Sequence, residues 1–150
     1  MTQAPETSLE RFVAAQDRHW EAILAELRAA RKVSHWMWYV FPQLRGLGRS
    51  ATAQHYGIAG IDEARAYLAH PVLGPRLREC AALLLQADTD DPEQIMGPVD
   101  AQKLRSSMTL FDRIGAGTDD NGCFGAVLAR FYGGAPDPRT LAMLPGPDQG

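Results

Sequence analysis

Residues 34–50 read SHWMWYVFPQLRGLGRS, and this stretch is the most informative part of the chain. Four aromatic side chains and a histidine fall within positions 35–41, and an Arg-Gly-x-Gly-Arg-Ser loop follows. Packing of a helical core requires apolar residues at helical spacing, but it does not require histidine, glutamine and arginine beside two tryptophans. Buried tryptophan and histidine side chains usually need hydrogen-bond partners. The stretch therefore predicts the lining of a ligand pocket, without indicating which reaction, if any, takes place there.

Capping residues and prolines divide the rest of the chain into short helices. Asp91-Pro92 and Asp137-Pro138 each combine an N-cap aspartate with a proline in the first turn, and Ser50 is positioned to cap a further helix. Ser34 is positioned to cap the aromatic helix, which ends at Pro42 because proline interrupts helical hydrogen bonding. These signals predict helices separated by turns.

The N-terminal region predicts an amphipathic helix. Thr7-Ser8-Leu9-Glu10 fits a capping box with Thr7 as the N-cap, and the apolar pattern restarts at Trp20. No alternating run argues for a strand, and alanine and leucine dominate the periodic segments. The chain is therefore predicted to be an all-α single domain, residues 1–150, of about seven or eight short helices. Residues 1–6 and 145–150 are expected to be frayed tails.

Composition limits the class of partner. The chain has 150 residues, of which 45% are hydrophobic and 22% charged, and it carries a formal net charge of -3. Domains that bind nucleic acid through phosphate contacts are usually basic, so this balance disfavours nucleic acid. The apolar runs are too short for a membrane span, and Met1 to Glu6 lack the core of a signal peptide. A cytoplasmic protein that does not enter a membrane is expected.

The sequence shows no spacing that is typical of a metal site. Cys80 and Cys123 lie far apart, and we expect both to be buried thiols in a reducing compartment. His19, His55 and His70 have no ligand spacing with carboxylates or cysteines. We therefore predict neither a metal nor a cofactor.

The loop at residues 45–50 is a candidate anion site. Gly46 and Gly48 would let the backbone approach a ligand closely. A helix is expected to begin after Ser50, where free N–H groups favour negative charge. Arg45 adds a fork of donors that suits phosphate or carboxylate. The alternative is a tight turn between helices, with its arginines solvated or paired, and Gly-x-Gly alone does not separate the two interpretations.

The aromatic helix presents two faces. Trp38 and Phe41 are three residues apart and share one face, whereas Trp36 and Tyr39 share another. One face should belong to the core, and the other could stack on a ring of a ligand. His35 precedes these residues and could act as a general acid or base, or could simply bond to a backbone carbonyl.

Residues 100–109 read DAQKLRSSMT and form a second polar stretch. Asp100, Lys103 and Ser107 are spaced by three and four residues, so they share one face of a helix. Lys103 could activate Ser106 or Ser107 as a nucleophile. Hydroxyls within a helix also bond to the carbonyl four residues earlier, so a role in ligand binding is favoured over a nucleophilic role.

Both polar stretches carry more functional groups than packing requires, and we expect them to converge on one concave surface. The predicted ligand-binding residues are Trp36, Gln43, Arg45, Gly46, Gly48, Ser50, Asp100, Lys103, Ser106 and Ser107. The candidate catalytic residues are His35, Lys103 and Ser107. These residue types favour binding of a small anionic, phosphorylated or nucleotide-like metabolite, and they leave open whether a reaction follows. The alternative is a protein-interaction module with an exposed tryptophan-rich patch, because tryptophan and arginine dominate binding hot spots.

Four segments of the chain resemble a known family. They are Leu9–Gln16, His35–Ser50, Tyr67–Leu77 and Asp100–Phe111, and together they resemble the family called domain of unknown function 1810. The resemblance extends from about Leu9 to Leu144, and it implies a single all-α domain in a bacterial cytoplasmic protein. It implies no particular reaction. Members are sometimes labelled calpastatin-like, yet calpastatins inhibit through disordered repeats, and this chain contains no repeats.

Overall fold

The computed structural model describes residues 4–115 and 122–144, and this part of the chain forms eight α-helices. In chain order they are α1 (Ala4–Arg28), α2 (Met37–Val40), α3 (Ala51–His55), α4 (Ile61–Ala69), α5 (Leu73–Leu85), α6 (Pro92–Ile114), α7 (Gly122–Tyr132) and α8 (Pro138–Met143). Across these residues there is no strand, and the β-type pairing is limited to an isolated parallel bridge between Leu44 and Ile58. The all-α prediction is confirmed, and the number of helices agrees with it.

Helix α1 is a single long element. The predicted cap at Thr7 is wrong, because α1 begins at Ala4 and continues through Thr7. The apolar pattern that restarts at Trp20 belongs to the same helix. Its apolar stripe, which includes the fully buried Phe12 and Ile23, is continuous and keeps one face against the core. Residues 4–6, which were predicted to belong to a tail, are the first residues of α1.

The other predicted tail residues, 1–3 and 145–150, lie outside the described part of the chain. Among the described helices, none is both long enough and apolar enough to cross a membrane.

The core lies mainly between α5, α6 and α7. Helices α1 and α4 pack against α5, and α8 packs against α6. The ring of Phe111 connects α6 to α4 and α7, because its centroid lies 5.3 Å from that of Tyr67 and 6.0 Å from that of Phe124. All three rings are fully buried. Burial of a large apolar side chain stabilises a fold by about 1.5–3 kcal/mol, so this aromatic row is a main source of cohesion.

A buried amide connects the aromatic helix to this core. The Nε2 of Gln16 donates to the carbonyl of Tyr39 at 2.7 Å and to the hydroxyl of Tyr67 at 3.1 Å. Its Oε1 accepts from Arg76 at 3.3 Å. One side chain of α1 therefore fixes α2 relative to α4 and α5.

The predicted helix caps are confirmed at three positions. Ser50, Asp91 and Asp137 each accept a hydrogen bond from a backbone N–H of the helix that they precede, at 2.9–3.0 Å. The prediction for Ser34 is wrong, because α2 begins at Met37 without a side-chain cap. The Ser34 hydroxyl instead bonds to a carboxylate of α1.

That carboxylate belongs to Glu26, and it fixes the turn between α1 and α2. It accepts from the N–H groups of Val33 at 2.8 Å and Ser34 at 3.0 Å, from the Ser34 hydroxyl at 2.7 Å, and from the Trp36 indole at 2.9 Å. Partial burial alone would raise the pKa of Glu26, but these hydrogen bonds outweigh burial and lower the pKa to about 2. The turn is therefore built around a carboxylate that stays charged.

The same turn also contacts α6, which is interrupted at Gly97. Gly97 has φ 84° and ψ 164°, a conformation that favours glycine, and Pro98 begins the second part of the helix. On either side of this break, α6 contacts Lys32: the Lys32 N–H donates to the carbonyl of Ile95 at 2.7 Å, and its Nζ pairs with Asp100 at 2.7 Å. These contacts fix both parts of α6 against the turn.

Replacing Glu26 with glutamine is expected to lower the free energy of unfolding by about 2 kcal/mol near neutral pH, because hydrogen bonds to a charged acceptor become neutral ones. The folded pKa lies below the ordinary value of 4.5, so the charge stabilises the fold above that value. This stabilisation is lost as the pH falls from 4.5 toward 2.

Urea unfolding at about pH 7 and about pH 3 measures this loss, and the difference between the wild type and Glu26→Gln should shrink at the lower pH. Glu21→Gln, an exposed position on the same helix, is the control and should change stability by no more than about 0.5 kcal/mol. A difference for Glu26→Gln that grows on acidification would contradict the proposed role of the charge.

Candidate functional site

A narrow cleft opens where α2 and the loop after it meet α3 and α6. It is lined by Met37, Trp38, Phe41, Gln43, Ala53, Tyr56, Gly57 and Lys103. The cleft and its open mouth contain about 240 Å³ of space, but the centre of a water molecule can reach only about 10 Å³ of it. That volume accommodates about one water-sized group.

An isolated bridge closes the loop at residues 43–58. The N–H of Arg45 donates to the carbonyl of Ile58 at 2.8 Å, and the N–H of Ile58 donates to the carbonyl of Gln43 at 2.9 Å. This closure folds α3 back toward the aromatic helix. Gln43 and Tyr56 thus line the cleft from opposite ends of the loop.

Glycines permit this tight closure. A β-carbon on Gly48 would lie 2.5 Å from the β-carbon of Ala53, and one on Gly57 would lie 2.6 Å from the Cα of Arg45. Both distances are too short for non-bonded carbon atoms, so larger residues would force the loop apart. Gly46 has φ +104°, which also favours glycine. Gly48, one of the two glycines predicted to let a ligand approach the backbone, therefore also permits the loop to close.

Lys103 reaches the cleft from α6. Its ammonium lies 5.3 Å from the centroid of the Trp38 ring, which is a cation–π distance. Within residues 4–115 and 122–144, no carboxylate forms a salt bridge with Lys103. A positive charge therefore faces an aromatic wall, and no acidic side chain of the described structure neutralises it.

The neighbouring tryptophans occupy different environments. Trp36 is only 1% exposed, and its indole is bound to Glu26, so it belongs to the core. Trp38 is half-buried and lines the cleft together with Phe41. The predicted division into two helix faces is wrong, because α2 spans only Met37–Val40 and Trp36 and Phe41 flank it. Phe41 is 1% exposed although it lines the cleft, and its ring centroid lies 6.3 Å from that of Trp36.

Four predicted site residues are exposed: His35, Arg45, Gly46 and Ser50. Arg45 is exposed, and its Nη2 donates at 3.2 Å to the carbonyl of Gly57, which lines the cleft. Its guanidinium is therefore at the rim of the cleft. Ser50 is exposed and caps α3. His35 is exposed and does not line the cleft; its carbonyl accepts from the hydroxyl of Tyr39 at 3.4 Å.

The polar side chains of residues 100–109 have different roles: some hold helices together, and one lines the cleft. Asp100 pairs with Lys32 at 2.7 Å, and the Ser106 hydroxyl donates to Asp137 at 3.1 Å. Ser107 is 0% exposed, and its hydroxyl has no hydrogen-bond partner in the part of the chain that the structure describes. Of this stretch, only Lys103 lines the cleft. The structure therefore brings Gln43 and Lys103 together, with Arg45 at the rim, and distributes the other predicted residues elsewhere.

Asp137 organises a polar cluster beneath α8. It is 2% exposed and accepts from the Thr140 hydroxyl at 2.6 Å, the Thr140 N–H at 3.0 Å and the Ser106 hydroxyl at 3.1 Å. Burial alone would raise the pKa of Asp137, but these hydrogen bonds and the nearby charge of Arg105 lower it below its usual value. This charged group joins α8 to α6, and the hydroxyl of Ser106 is used in that connection.

Six cleft residues were not among the predicted ligand-binding residues: Met37, Trp38, Phe41, Ala53, Tyr56 and Gly57. The sequence does not separate Trp38 from Trp36. Trp36 is held in the core by a hydrogen bond from its indole to Glu26, and only the fold identifies that partner. Tyr56-Gly57 has a weak signal, since an aromatic residue and a glycine directly follow the helix that Ser50 caps.

Metal-binding geometry is missing from the described residues, where no group of three or more His, Cys, Asp or Glu side chains could hold an ion. Cys80 is buried as expected, and burial raises the pKa of its thiol. Cys123 is only partly buried.

The fold and the cleft define a single-domain, all-helical protein in which a lysine is set against aromatic rings. The chain belongs to the family described as "Protein of unknown function (DUF1810)", which matches residues 6–144. The resemblance inferred from the sequence motifs is therefore confirmed.

A solved structure supports the same fold. The chain is similar to the conserved hypothetical protein Rv1873 from Mycobacterium tuberculosis, with 53% identity and a TM-score of 0.88. The similarity covers 93% of this chain and 97% of that protein. A comparison with curated proteins finds no match.

Replacing Trp36 with phenylalanine is expected to lower the free energy of unfolding by about 1–3 kcal/mol, because Glu26 loses a donor that a buried ring cannot replace. Trp38→Phe is the matched control and should cost less, because Trp38 is half-buried and its ring faces the cleft. Urea unfolding of both variants measures the difference. A larger loss for Trp38→Phe would contradict the assignment of Trp36 to the scaffold.

Proposed function

We propose that the protein binds a small anionic metabolite, phosphorylated or nucleotide-like, in the cleft between α2, α3 and α6. The observation that carries the proposal is the ammonium of Lys103, which faces Trp38 and has no salt-bridge partner among the described residues. A charge that is partly removed from water is stabilised by an opposite charge. An anionic ligand would supply it.

The other residues around the cleft suit a ligand that combines an anion with a ring. Trp38 and Tyr56 offer aromatic surfaces, and stacking of a base on such a surface contributes about 1–3 kcal/mol. The amide of Gln43 can both donate and accept hydrogen bonds. Arg45 at the rim adds a second cation, with the forked geometry that suits phosphate.

The small free volume implies that Lys103 moves when a ligand enters. Its contact with Trp38 contributes about 0.5–1 kcal/mol if it resembles other accessible cation–π pairs. A hydrogen bond from the ammonium to an anion contributes about 1.5–3 kcal/mol, so the exchange favours the ligand. The flexible stem of lysine allows the ammonium to leave the ring, and the exposed face of Trp38 then becomes available for stacking.

The proposal concerns binding and does not include a reaction. Among the candidate catalytic residues, His35 is outside the cleft and Ser107 is fully buried, so Lys103 alone lines it. The net charge of -3 supports a small anion over nucleic acid as the partner. A bacterial cytoplasm, where phosphorylated metabolites are formed and used, is the setting that we propose.

The alternative function, a protein-interaction module, would use an exposed patch of tryptophans. Trp36 is 1% exposed, and Trp20 and Trp38 are half-buried, so these exposures favour the small ligand. Capture of a protein partner that depends on Trp38, without stabilisation by any small anion, would favour the module instead.

Selective labelling of lysine tests the proposed site. The chain contains two lysines, Lys32 and Lys103, and the side chain of Lys32 is only 6% exposed and paired with Asp100. Nucleoside monophosphates and sugar phosphates are first screened for compounds that raise the Tm. At ten times its Kd, such a compound should slow acylation of Lys103 about tenfold while leaving Lys32 unchanged, as measured by peptide mass spectrometry. Equal protection of both lysines, or no compound that raises the Tm, would argue against this cleft.

A pair of arginine variants tests the rim. Arg45→Ala should weaken binding of the same compound about tenfold or more, because a charge-assisted hydrogen bond contributes about 1.5–3 kcal/mol. Arg49→Ala is the matched control, since it removes the same charge from an exposed position in the same loop. Isothermal titration gives both affinities, and the Tm without ligand reports on the fold. Equal losses of affinity would mean that the net charge of the loop, and not a contact from Arg45, attracts the ligand.

A further inference from the structure

The hydroxyl of Ser107 is the least explained polar group in the described structure. Ser107 is 0% exposed, and its Oγ has no hydrogen-bond partner among the described residues. The hydroxyls on either side are bonded: Ser106 donates to Asp137 at 3.1 Å, and Thr109 donates to the carbonyl of Arg105 at 2.8 Å. An unpaired buried hydroxyl costs about 1–3 kcal/mol, and alanine has a higher helix propensity than serine. Packing therefore does not account for serine at this position.

Helix geometry places Ser107 beside the cleft. It follows Lys103 by one turn, so both residues lie on the same face of α6. Side chains of a helix lean toward its N-terminus, which directs Ser107 toward the turn that carries Lys103. Lys103 lines the cleft, and Ser107 is buried one turn further along the same face of α6, outside the present lining.

We propose that Ser107 is a ligand-binding residue whose hydroxyl donates to an oxygen of the ligand's anionic group. This inference rests on the proposed function, because the hydroxyl becomes accessible when the Lys103 ammonium leaves the Trp38 ring. The anionic oxygen then lies between the ammonium and the hydroxyl, which are supplied from successive turns of α6. The free space of about 10 Å³ fits one such atom.

The inferred geometry defines the chemical class of the ligand. A phosphate monoester presents three unsubstituted oxygens and a charge of about −1.5 to −2, whereas a diester has two such oxygens, a single charge and a second substituent that must also fit the narrow cleft. We therefore infer a terminal phosphate monoester. The ring of the ligand remains nearer the mouth, against Trp38. Phenyl phosphate contains both parts and is a suitable probe, and diphenyl phosphate is the corresponding diester.

Two adjacent serine variants separate binding from structure. Ser107→Ala removes an unpaired hydroxyl, so it should leave the urea midpoint unchanged or raise it, while weakening the binding of phenyl phosphate about tenfold. Ser106→Ala removes the bond to Asp137, so it should lower the urea midpoint and leave the affinity unchanged. For the wild type, diphenyl phosphate should bind much more weakly than phenyl phosphate.

The outcomes distinguish this inference from the proposed function. If phenyl phosphate binds to the wild type and slows labelling of Lys103, but Ser107→Ala binds it equally well, the role of Ser107 is wrong and the cleft remains. Destabilisation of Ser107→Ala to the same extent as Ser106→Ala would also overturn the inference, since the hydroxyl would then be a structural group. A wild type that neither binds phenyl phosphate nor shows slower labelling of Lys103 overturns both proposals.

Discussion

The carboxylate of Glu26 is the interaction on which the rest of the structure depends. A charged acceptor bound by several donors fixes the turn after α1, and its bond to the indole of Trp36 anchors the start of the aromatic helix in the core. Trp36 precedes α2 and is buried, whereas Trp38 lies within α2 and lines the cleft. Burying the first tryptophan therefore directs the second toward the cleft. The position of one aromatic wall of the candidate site follows from a hydrogen bond that is not part of the site.

The position of Lys103 follows from a second constraint in the same turn. Lys32 pairs with Asp100, and Asp100 precedes Lys103 by one turn of α6. The two lysines of the chain thus have different partners, although each lies near a tryptophan. Lys32 has a carboxylate partner and connects elements, whereas Lys103 has a ring but no salt bridge in the described structure. This difference is the reason for proposing Lys103, and not Lys32, as the anion-binding lysine.

The sequence predicted the features that depend on neighbouring residues. Ser50, Asp91 and Asp137 cap helices because an N-cap bond reaches only two or three residues along the chain. It did not predict bonds between distant residues, such as the bond from Ser106 to Asp137, because a polar side chain does not indicate its partner. Ser34 failed as a cap for the same reason: Glu26 binds it. Gln43 and Lys103, which line the cleft, were singled out because they lie in unusually polar stretches, but the choice between Trp36 and Trp38 required the position of Glu26.

The break at Gly97 has a consequence for how this chain can change during evolution. Pro98 begins the second part of α6, and the number of residues from Pro98 fixes the directions in which Asp100, Lys103 and Ser107 point. Deleting or inserting one residue between Gly97 and Lys103 would rotate the rest of α6 by about 100° relative to the part before the change. Lys103 would then point away from the cleft if Asp100 kept its salt bridge to Lys32. Substitutions at exposed positions leave that count unchanged. Proteins with this fold should therefore differ by substitutions far more readily than by insertions or deletions in this segment.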